Sequence, residues 1–459
     1  MKVLKFGGTS VGTVESLSNV KKIVESLDDK VVVVVSALGG LTDKLISTAR
    51  TAALGDAEYI VAFNEIFERH QHIIDSLISP SKIDNVRKQV YGLLDELGTI
   101  YRGIHLIRDL SGRTLDVVVS YGERMSSVIV SNLIDNAMLL DSKQFIITQR
   151  VLGNHRVDSM RTSAAIRKFF GEAEFSTAVV PGFISSDRDS DITNLGRGGS
   201  DYTAAILASA LDAEILEIWT DVDGFMTADP RIVKDAYVID ELSFSEAIEL
   251  CNYGAKVIYP PTLFPVYEKD IPIKVKNTFN PGAPGTLIKT RVDDSDSQST
   301  LKGLSYVKES CIIRLYGPLA GSRDEGLEVR VADLLRGFAF KPLLVERLDD
   351  HVAVAVGSAD AEKTVKFLQT EFASELQTGM LDKIEAEQQT LSTVAIIGAD
   401  EVLLLSLCNK VKDLLRDNGI DVALGSSHPS GLAISFMVST EKMRDALITI
   451  HNSLFLSQR

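Results

Sequence analysis

The residues most suited to chemistry in this sequence are cations that stand beside glycines in short segments. Lys5 opens KFGGTS, directly after an apolar strand-like run, and Arg197 lies within GRGGSD, residues 196–201. Glycines such as Gly7 and Gly8 let a backbone approach a ligand closely and turn N–H groups toward anionic oxygens. Taken alone, the first segment is better explained by a Gly-Gly turn after an edge strand. The glycine spacing of KFGGTS matches neither a phosphate loop nor a dinucleotide-binding fingerprint.

Further cations follow the same pattern later in the chain. GRGGSD leads into a predicted helix that begins at Asp201, whose N-terminus would favour an anion, although Ser200 is also well explained as an N-cap. The Asp- and Gly-rich turn from Asp221 to Gly224, within WTDVDGF, precedes Arg231. YGAKVIYPPT contains Lys256, which would equally suit a helix C-terminus. Together these loops predict a phosphate-rich ligand and stabilisation of a transferring phosphoryl group.

Composition narrows the class of protein. The 459 residues include 48 Lys and Arg against 63 Asp and Glu, a net charge of -15, which disfavours nucleic acid as a partner. The cysteines, Cys251, Cys311 and Cys408, have no paired spacing, so neither a disulfide framework nor a protein-bound metal is predicted. The apolar run at 31–35 is too short to cross a membrane and the N-terminus lacks the apolar region of a signal peptide. We expect a cytoplasmic protein without membrane partners.

The elements that must position these residues alternate between strands and helices. Strand-like runs are VLKF, VVVVVSA, LDVVVS, STAVVPGFI, EILEIWT and PIKVKNT, several of them continuous in Val and Ile as in parallel strands buried on both faces. This alternation predicts an α/β domain with helices on both faces of a sheet. The segment 41–113 reads as mostly helical, and either a moving lid or ordinary packed helices would fit it.

A change of composition marks a domain boundary near residue 291. RVDDSDSQST is polar, acidic and serine-rich, as in a solvated linker. Two shorter units follow, each with a ferredoxin-like order of strands and helices, and they resemble a degenerate repeat. We therefore predict a catalytic domain at 1–292, a linker at 293–302, and two small βαββαβ domains at 303–385 and 386–459.

An ordered set of motifs carries a family resemblance. KFGGTS, VVVSALGGLTDKL, SYGERMSS, LGRGGSDYTA, WTDVDGF and YGAKVIYPPT follow one another over nearly all of residues 1–290. This set resembles the aspartate kinases of the amino acid kinase superfamily. The resemblance implies a three-layer αβα catalytic domain with a mostly parallel sheet, followed by tandem ACT domains. It also implies ATP-dependent phosphorylation of the β-carboxylate of L-aspartate, the first step toward lysine, threonine and methionine. Since the chain ends at Arg459 without a second enzyme, we expect the monofunctional type.

The same resemblance assigns roles by motif. Lys5 and Asp201 are the implied catalytic pair, in which the lysine neutralises the transferring phosphoryl group and the aspartate orients it. The residues implied to bind aspartate are Ser36, Thr42, Glu123, Arg197 and Ser200, with Glu123 facing the ammonium and Arg197 a carboxylate. For Ser36 and Thr42, hydroxyls that close a turn remain an alternative.

The resemblance also implies a nucleotide site with Mg²⁺ bridging the phosphates of ATP. The residues implied to contact ATP are Lys5, Gly7, Gly8, Thr220, Asp221, Arg231, Lys256 and one of Phe225 and Met226. A carboxylate nucleophile is ionised at neutral pH and needs no general base, and none of the motifs contains a histidine.

Regulation and assembly are less well specified by the motifs. The loop GPLAGSRDEG matches the ACT pattern only loosely and Ala433 replaces a common Asn, so the effector stays open between lysine, threonine and none. A homodimer or dimer of dimers through the ACT domains is implied. Two rivals are a kinase acting on glutamate or acetylglutamate, which GRGGSD with SYGERMSS disfavours, and a non-catalytic amino-acid sensor, which the presence of Lys5 and Asp201 disfavours.

Overall fold

The computed structural model describes residues 1–151, 154–290, 301–321, 326–338, 340–387, 390–428 and 430–456. Its strands are β1 Lys2–Phe6, β2 Val31–Val35, β3 Ala137–Leu139, β4 Thr148–Val151, β5 Asn154–Val157, β6 Thr177–Pro181, β7 Ile184–Ser186, β8 Ile192–Asn194, β9 Ile215–Thr220, β10 Glu241–Ser243, β11 Ile273–Asn277, β12 Thr286–Lys289, β13 Leu301–Tyr316, β14 Leu344–Arg347, β15 His351–Gly357, β16 Lys383–Ala386, β17 Leu391–Gly398, β18 Val422–Ser427 and β19 Ala433–Ser439. Its α-helices are α1 Val14–Glu25, α2 Leu41–Ala53, α3 Tyr59–Leu77, α4 Ile83–Ile107, α5 Gly112–Leu133, α6 Ser159–Glu172, α7 Gly199–Ala210, α8 Phe244–Asn252, α9 Phe264–Tyr267, α10 Pro318–Gly321, α11 Leu327–Gly337, α12 Ala361–Glu371, α13 Ala373–Gln377, α14 Glu401–Asp417 and α15 Met443–Leu454.

Contacts divide the chain into two compact units. The first comprises residues 1–224 and 257–290, and the second comprises 225–256 and 291–459. The predicted linker at 293–302 lies almost wholly outside the described residues, so the predicted domain boundaries stay a prediction. Within the described part of the chain, no helix has both the length and the apolar character that a membrane span requires.

A large, mostly parallel sheet forms the centre of the first unit, as predicted. Within this unit its strands follow the order β12-β11-β9-β1-β2-β6-β3, and every neighbouring pair is parallel except β11 with β12. Lys5 pairs in register with Val34 of β2 on one side and with Ile218 of β9 on the other. Because carboxyl ends of parallel strands meet at one edge, the loops after β1, β2 and β9 come together.

Alternation along β1 directs its side chains to opposite faces of the sheet. Leu4 and Phe6 are buried in the apolar cluster that includes α1 to α5, whereas Lys5 points to the other face and reaches α7. The continuous Val run of β2 is buried throughout, as the lack of alternation predicted. The helices therefore cover both faces of the sheet, and Lys5 lies beneath one of them.

The segment 41–113 is helical, as predicted, and consists of α2, α3, α4 and the start of α5. The strand predicted at LDVVVS is wrong, because this run lies inside α5. Ser111 caps that helix by accepting a hydrogen bond from the Thr114 N–H, and the side chains of Val118 and Val119 are buried. Burial of the apolar face outweighs the β preference of three successive valines.

The second unit contains one antiparallel sheet in the order β14-β15-β13-β17-β19-β18, with β16 beside β13. The strands β16-β13-β15-β14 with α11 and α12 form a ferredoxin-like unit, as predicted. The other unit takes β17, β19 and β18 with α14 and α15. Its remaining strand comes from the first part of β13, where Leu301 to Val307 pair antiparallel with β17. The second small unit thus takes one strand from the chain that precedes the first. The order of strands along the sequence could not show this pairing.

The chain between residues 225 and 256 packs with the strands and helices of the second unit. The Leu304 N–H donates to the Thr227 carbonyl oxygen at 2.7 Å, and the Thr227 hydroxyl lies 3.0 Å from Nε2 of His451. The Tyr253 hydroxyl donates to the Leu343 carbonyl oxygen at 2.6 Å. These residues, although inside the predicted catalytic domain in sequence, are held by the C-terminal strands and helices.

Candidate functional site

Lys5 and Asp201 form an ion pair at the carboxyl edge of the sheet. Nζ of Lys5 lies 2.6 Å from Oδ1 of Asp201, and the two side chains are only 11% and 13% exposed. Asp201 belongs to the first turn of α7, where the helix dipole favours an anion. The predicted N-cap Ser200 is wrong, because the cap is Gly198 in a left-handed conformation with φ of 69°. Lysine charge and helix N-terminus therefore converge at one point.

The loops after β1 and β2 contact each other backbone to backbone. A Cβ added to Gly8 would lie 3.2 Å from both the Ala37 carbonyl oxygen and the Cα of Gly39. One added to Gly12 would lie 2.9 Å from the carbonyl oxygen of Gly8. Side chains at these positions would separate the loops, which explains why glycine is needed there beyond any contact with a ligand.

Gly7 differs from the expectation that its N–H faces an anion. Its N–H donates to the Trp219 carbonyl oxygen at 3.1 Å and so extends the pairing of β1 with β9. The hydroxyl of Ser10 also donates to that carbonyl oxygen, at 3.1 Å, and accepts a hydrogen bond from the Thr278 hydroxyl at 2.7 Å. A Cβ added to Gly7 would lie 3.4 Å from Nζ of Lys5 and 3.6 Å from the Trp219 carbonyl oxygen, so the missing side chain leaves Lys5 its place beside the loop.

Glu123 is a buried carboxyl group in the middle of α5. Its side chain is 5% exposed, and burial raises its pKa to about 8 despite N–H donors from Ala37 and from its own backbone and the nearby charge of Lys5. Its Oε2 has no hydrogen-bond partner among the described residues. Gly122 allows this close packing, since a Cβ there would lie 2.7 Å from that of Ala37. A buried acceptor without a partner is suited to a cationic ligand group.

The other residues predicted to bind aspartate surround the same edge of the sheet. Ser36 follows β2, and its N–H donates to the Phe6 carbonyl oxygen at 3.2 Å, while Thr42 lies in the first turn of α2. Ser200 is buried against Gly182, which follows β6. Arg197 is exposed in the loop before α7 and makes no ion pair with another described residue. The loops after β1, β2 and β6 thus meet at the start of α7.

The residues predicted to contact the nucleotide fall into both units. Thr220 ends β9 in the first unit and Asp221 follows it, and the Thr220 hydroxyl donates to Oδ1 of Asp221 at 3.1 Å. Phe225, Met226, Arg231 and Lys256 belong to the second unit.

Phe225 and Met226 differ in their access to a ligand. The ring of Phe225 is 1% exposed and forms part of the core, whereas Met226 is partly exposed. Met226 is therefore the side chain of this pair that an adenine ring can reach, and its contact with adenine stays a prediction.

Arg231 and Lys256 are both exposed cations of the second unit. Asp229 holds Arg231 in a two-pronged pair, with Nε 2.9 Å from Oδ1 and one terminal nitrogen 2.7 Å from Oδ2. The Tyr306 hydroxyl of β13 also donates to Oδ2 of Asp229, at 3.2 Å. This pairing raises the pKa of Arg231 and lowers that of Asp229, so both stay charged.

Sequence reasoning missed the residues that hold these loops in place. Arg69 of α3 donates to the carbonyl oxygens of Gly12 and Gly39. Gly122 lets α5 pack closely against Ala37 in the loop after β2. Neither residue lies near a strand end in the sequence. Gly122 is part of the motif SYGERMSS, which could have drawn attention to it, whereas nothing in the helical pattern around Arg69 marks that residue.

Comparison with known sequences gives consistent matches. The model of the Amino acid kinase family matches residues 1–277. Aspartokinase 2, chloroplastic, of Arabidopsis thaliana is 30% identical over 475 residues, covering 99% of this chain and 84% of that protein. The bifunctional aspartokinase/homoserine dehydrogenase of Haemophilus influenzae is 30% identical over 479 residues, covering 100% of this chain. The chain spans 57% of that relative, so a little over half of its length.

Solved structures match over the same extent. Aspartokinase III of E. coli in complex with aspartate and ADP, in the R-state, has 28% identity and a TM-score of 0.81, covering 99% of this chain and 100% of that chain. The same protein in complex with lysine and aspartate, in the T-state, has 29% identity and a TM-score of 0.74, covering 99% of each chain.

Proposed function

The chain belongs to the amino acid kinase family and, within it, to the aspartokinases, and from this premise we propose that it phosphorylates L-aspartate. In the proposed reaction the β-carboxylate of aspartate attacks the γ-phosphorus of ATP and ADP leaves, giving 4-phospho-L-aspartate. This would be the first step toward lysine, threonine and methionine. The observation that carries the proposal is the Lys5–Asp201 pair beneath the glycine loops, together with Oε2 of Glu123, which has no hydrogen-bond partner among the described residues.

The chemistry needs positioning and charge more than proton transfer. A carboxylate nucleophile is already ionised at neutral pH, so no base is required. Lys5 would neutralise charge on the transferring phosphoryl group. Asp201 would hold the ammonium group of Lys5 in place, since its Oδ1 lies 2.6 Å from Nζ of Lys5. The N-terminus of α7 adds its dipole at the same point.

Recognition of aspartate would use both charges of the amino acid. Glu123 is proposed to receive the ammonium, which supplies the partner that its buried Oε2 lacks. Arg197, unpaired with any described residue, is proposed to grip a carboxylate in two-pronged fashion. The remaining proposed contacts are the hydroxyls of Ser36, Thr42 and Ser200.

ATP would lie along the loops after β1 and β9. Proposed contacts in the first unit are Lys5, Gly7, Gly8, Thr220 and Asp221. The nucleotide contacts of Met226, Arg231 and Lys256 stay predictions from the sequence. Mg²⁺, when bound with ATP, would neutralise negative charge on its phosphates. Among the described residues, no group of three or more His, Cys, Asp or Glu side chains is placed to hold a metal ion.

Regulation is proposed to reside in the ferredoxin-like units of the second unit, as ACT domains that bind lysine or threonine. Support comes from the T-state structure of E. coli aspartokinase III, which contains lysine. The predicted effector loop GPLAGSRDEG lies in part outside the described residues. Assembly as a homodimer or dimer of dimers through these units is likewise proposed.

A hydroxamate assay tests the proposal directly, since hydroxylamine traps acyl phosphates. The protein is incubated with ATP and Mg²⁺ and with L-aspartate, L-glutamate or N-acetylglutamate, each with and without lysine, threonine or both. We expect product with aspartate, suppressed by an effector. Product only with another acidic amino acid would overturn the assignment of aspartate as the substrate. No product with any of the three amino acids would favour a non-catalytic amino-acid sensor.

A further inference from the structure

Arg69 connects the two glycine loops of the proposed site. One terminal nitrogen donates to the Gly39 carbonyl oxygen at 2.8 Å and the other donates to that of Gly12 at 2.9 Å. Gly12 belongs to the loop after β1, and Gly39 belongs to the loop after β2. The side chain comes from α3, in the helical segment 41–113 whose role the sequence left open between a lid and ordinary packing.

The pairing of Arg69 is unusual for a half-buried cation. Burial lowers the pKa of its guanidinium, and among the described residues it forms no ion pair with a carboxylate. Its partners are two neutral carbonyl oxygens, one from each loop. A rigid planar fork can reach two acceptors in fixed directions, which a lysine ammonium on a flexible stem reproduces poorly. The contact is therefore specific to arginine and leaves its positive charge uncompensated near the site.

The two loops hold opposite partners of the proposed reaction. The first follows Lys5 and contains Gly7 and Gly8, proposed to face ATP, and the second joins Ser36 to Thr42, proposed to face aspartate. They already touch at Gly8 and Gly39, where the backbones are too close for any side chain. Their separation thus sets the distance between phosphoryl donor and acceptor.

We propose that Arg69 is a positioning residue that fixes the relative placement of the donor loop, residues 7–13, and the acceptor loop, residues 36–42. The inference rests on the proposed function for the identity of the two substrates. Transfer between two bound substrates is sensitive to small displacements, and a shift of 1 Å costs about a hundredfold in rate. Each loop keeps its own contacts with its ligand, so binding depends on Arg69 far less than transfer does.

Steady-state kinetics of Arg69→Met and Arg69→Lys test this role. We expect kcat of Arg69→Met to fall about a hundredfold while KM for ATP and for aspartate changes less than about threefold. Arg69→Lys, which keeps the charge and one hydrogen bond, should recover part of kcat. Arg87→Met is the matched control, because Arg87 pairs with Asp75 on the exposed side of the same helical segment and should keep wild-type kcat.

Hydrogen exchange separates positioning from general stabilisation and needs no activity. In Arg69→Met, amides of residues 7–13 and 36–42 should exchange faster while those of β6 and α7 stay as in the wild type. Uniformly faster exchange across the first unit, or a kcat equal to that of the wild type, would overturn the inference. If the wild type makes no acyl phosphate, the proposed function fails, and the exchange pattern still decides whether Arg69 holds the two loops.

Discussion

Replacing Glu123 by Gln should stabilise the ligand-free protein at neutral pH while weakening its grip on aspartate. The substitution keeps the shape of the side chain and an oxygen that can accept from the Ala37 N–H, and it removes the ionisable group. In the wild type, burial raises the pKa of this carboxyl from 4.5 to about 8. Between these two values of pH, the folded protein therefore keeps a proton on Glu123 that the unfolded chain has released.

The sign and size of the effect follow from this difference in proton binding. Between pH 4.5 and 8 unfolding releases the proton, so the wild type loses stability as pH rises, by about 1.4 kcal/mol per pH unit. By pH 8 the accumulated loss is roughly 4 kcal/mol, taken from the rise in pKa to about 8. Glu123→Gln has no such loss, so the two proteins should converge below pH 4.5.

Urea denaturation of both proteins without ligands, from pH 4.5 to 8.5, measures this difference. Glu96→Gln serves as control, because the Glu96 side chain is 60% exposed and its variant should follow the wild-type pH dependence. A stability difference for Glu123→Gln that does not grow with pH would refute the reasoning. In the hydroxamate assay, KM for aspartate should rise at least tenfold with KM for ATP unchanged, and unaltered aspartate saturation would contradict the ammonium contact.

Other substitutions probe the rest of the site. Lys5→Ala should lower kcat on the order of a thousandfold in the hydroxamate assay while calorimetry still detects aspartate binding, and near-normal turnover would remove Lys5 from the chemistry. Tyr306→Phe removes the hydroxyl that donates to Asp229, the partner of Arg231. It should raise KM for ATP a few-fold and leave KM for aspartate unchanged. Gly122→Ala should cost about 1–3 kcal/mol in urea denaturation, because its Cβ would lie 2.7 Å from that of Ala37. Gly112→Ala, with open space around it, should cost nothing, and equal losses for both would argue against the packing explanation.

Local chemistry in the sequence predicted much of the site. Continuous valines predicted a buried parallel strand at β2, and the glycines after β1 predicted a close backbone approach, although toward Gly39 rather than a ligand alone. Motif order predicted the family without any structural information. The prediction failed for the strand at LDVVVS and for the N-cap at Ser200, where packing of α5 and the left-handed Gly198 override local preference.

Sequence by itself thus determined the family, the α/β class and the residue types available for chemistry, because these depend on short-range patterns and on motif order. Tertiary structure alone decided which residues touch. The pKa of Glu123 depends on burial that no local pattern shows, and Arg69 reaches two loops from a helix distant in sequence. The pairing of Leu301 to Val307 with β17 likewise joins residues about ninety positions apart. Such contacts arise from the packing of whole elements, and only the folded chain brings them together.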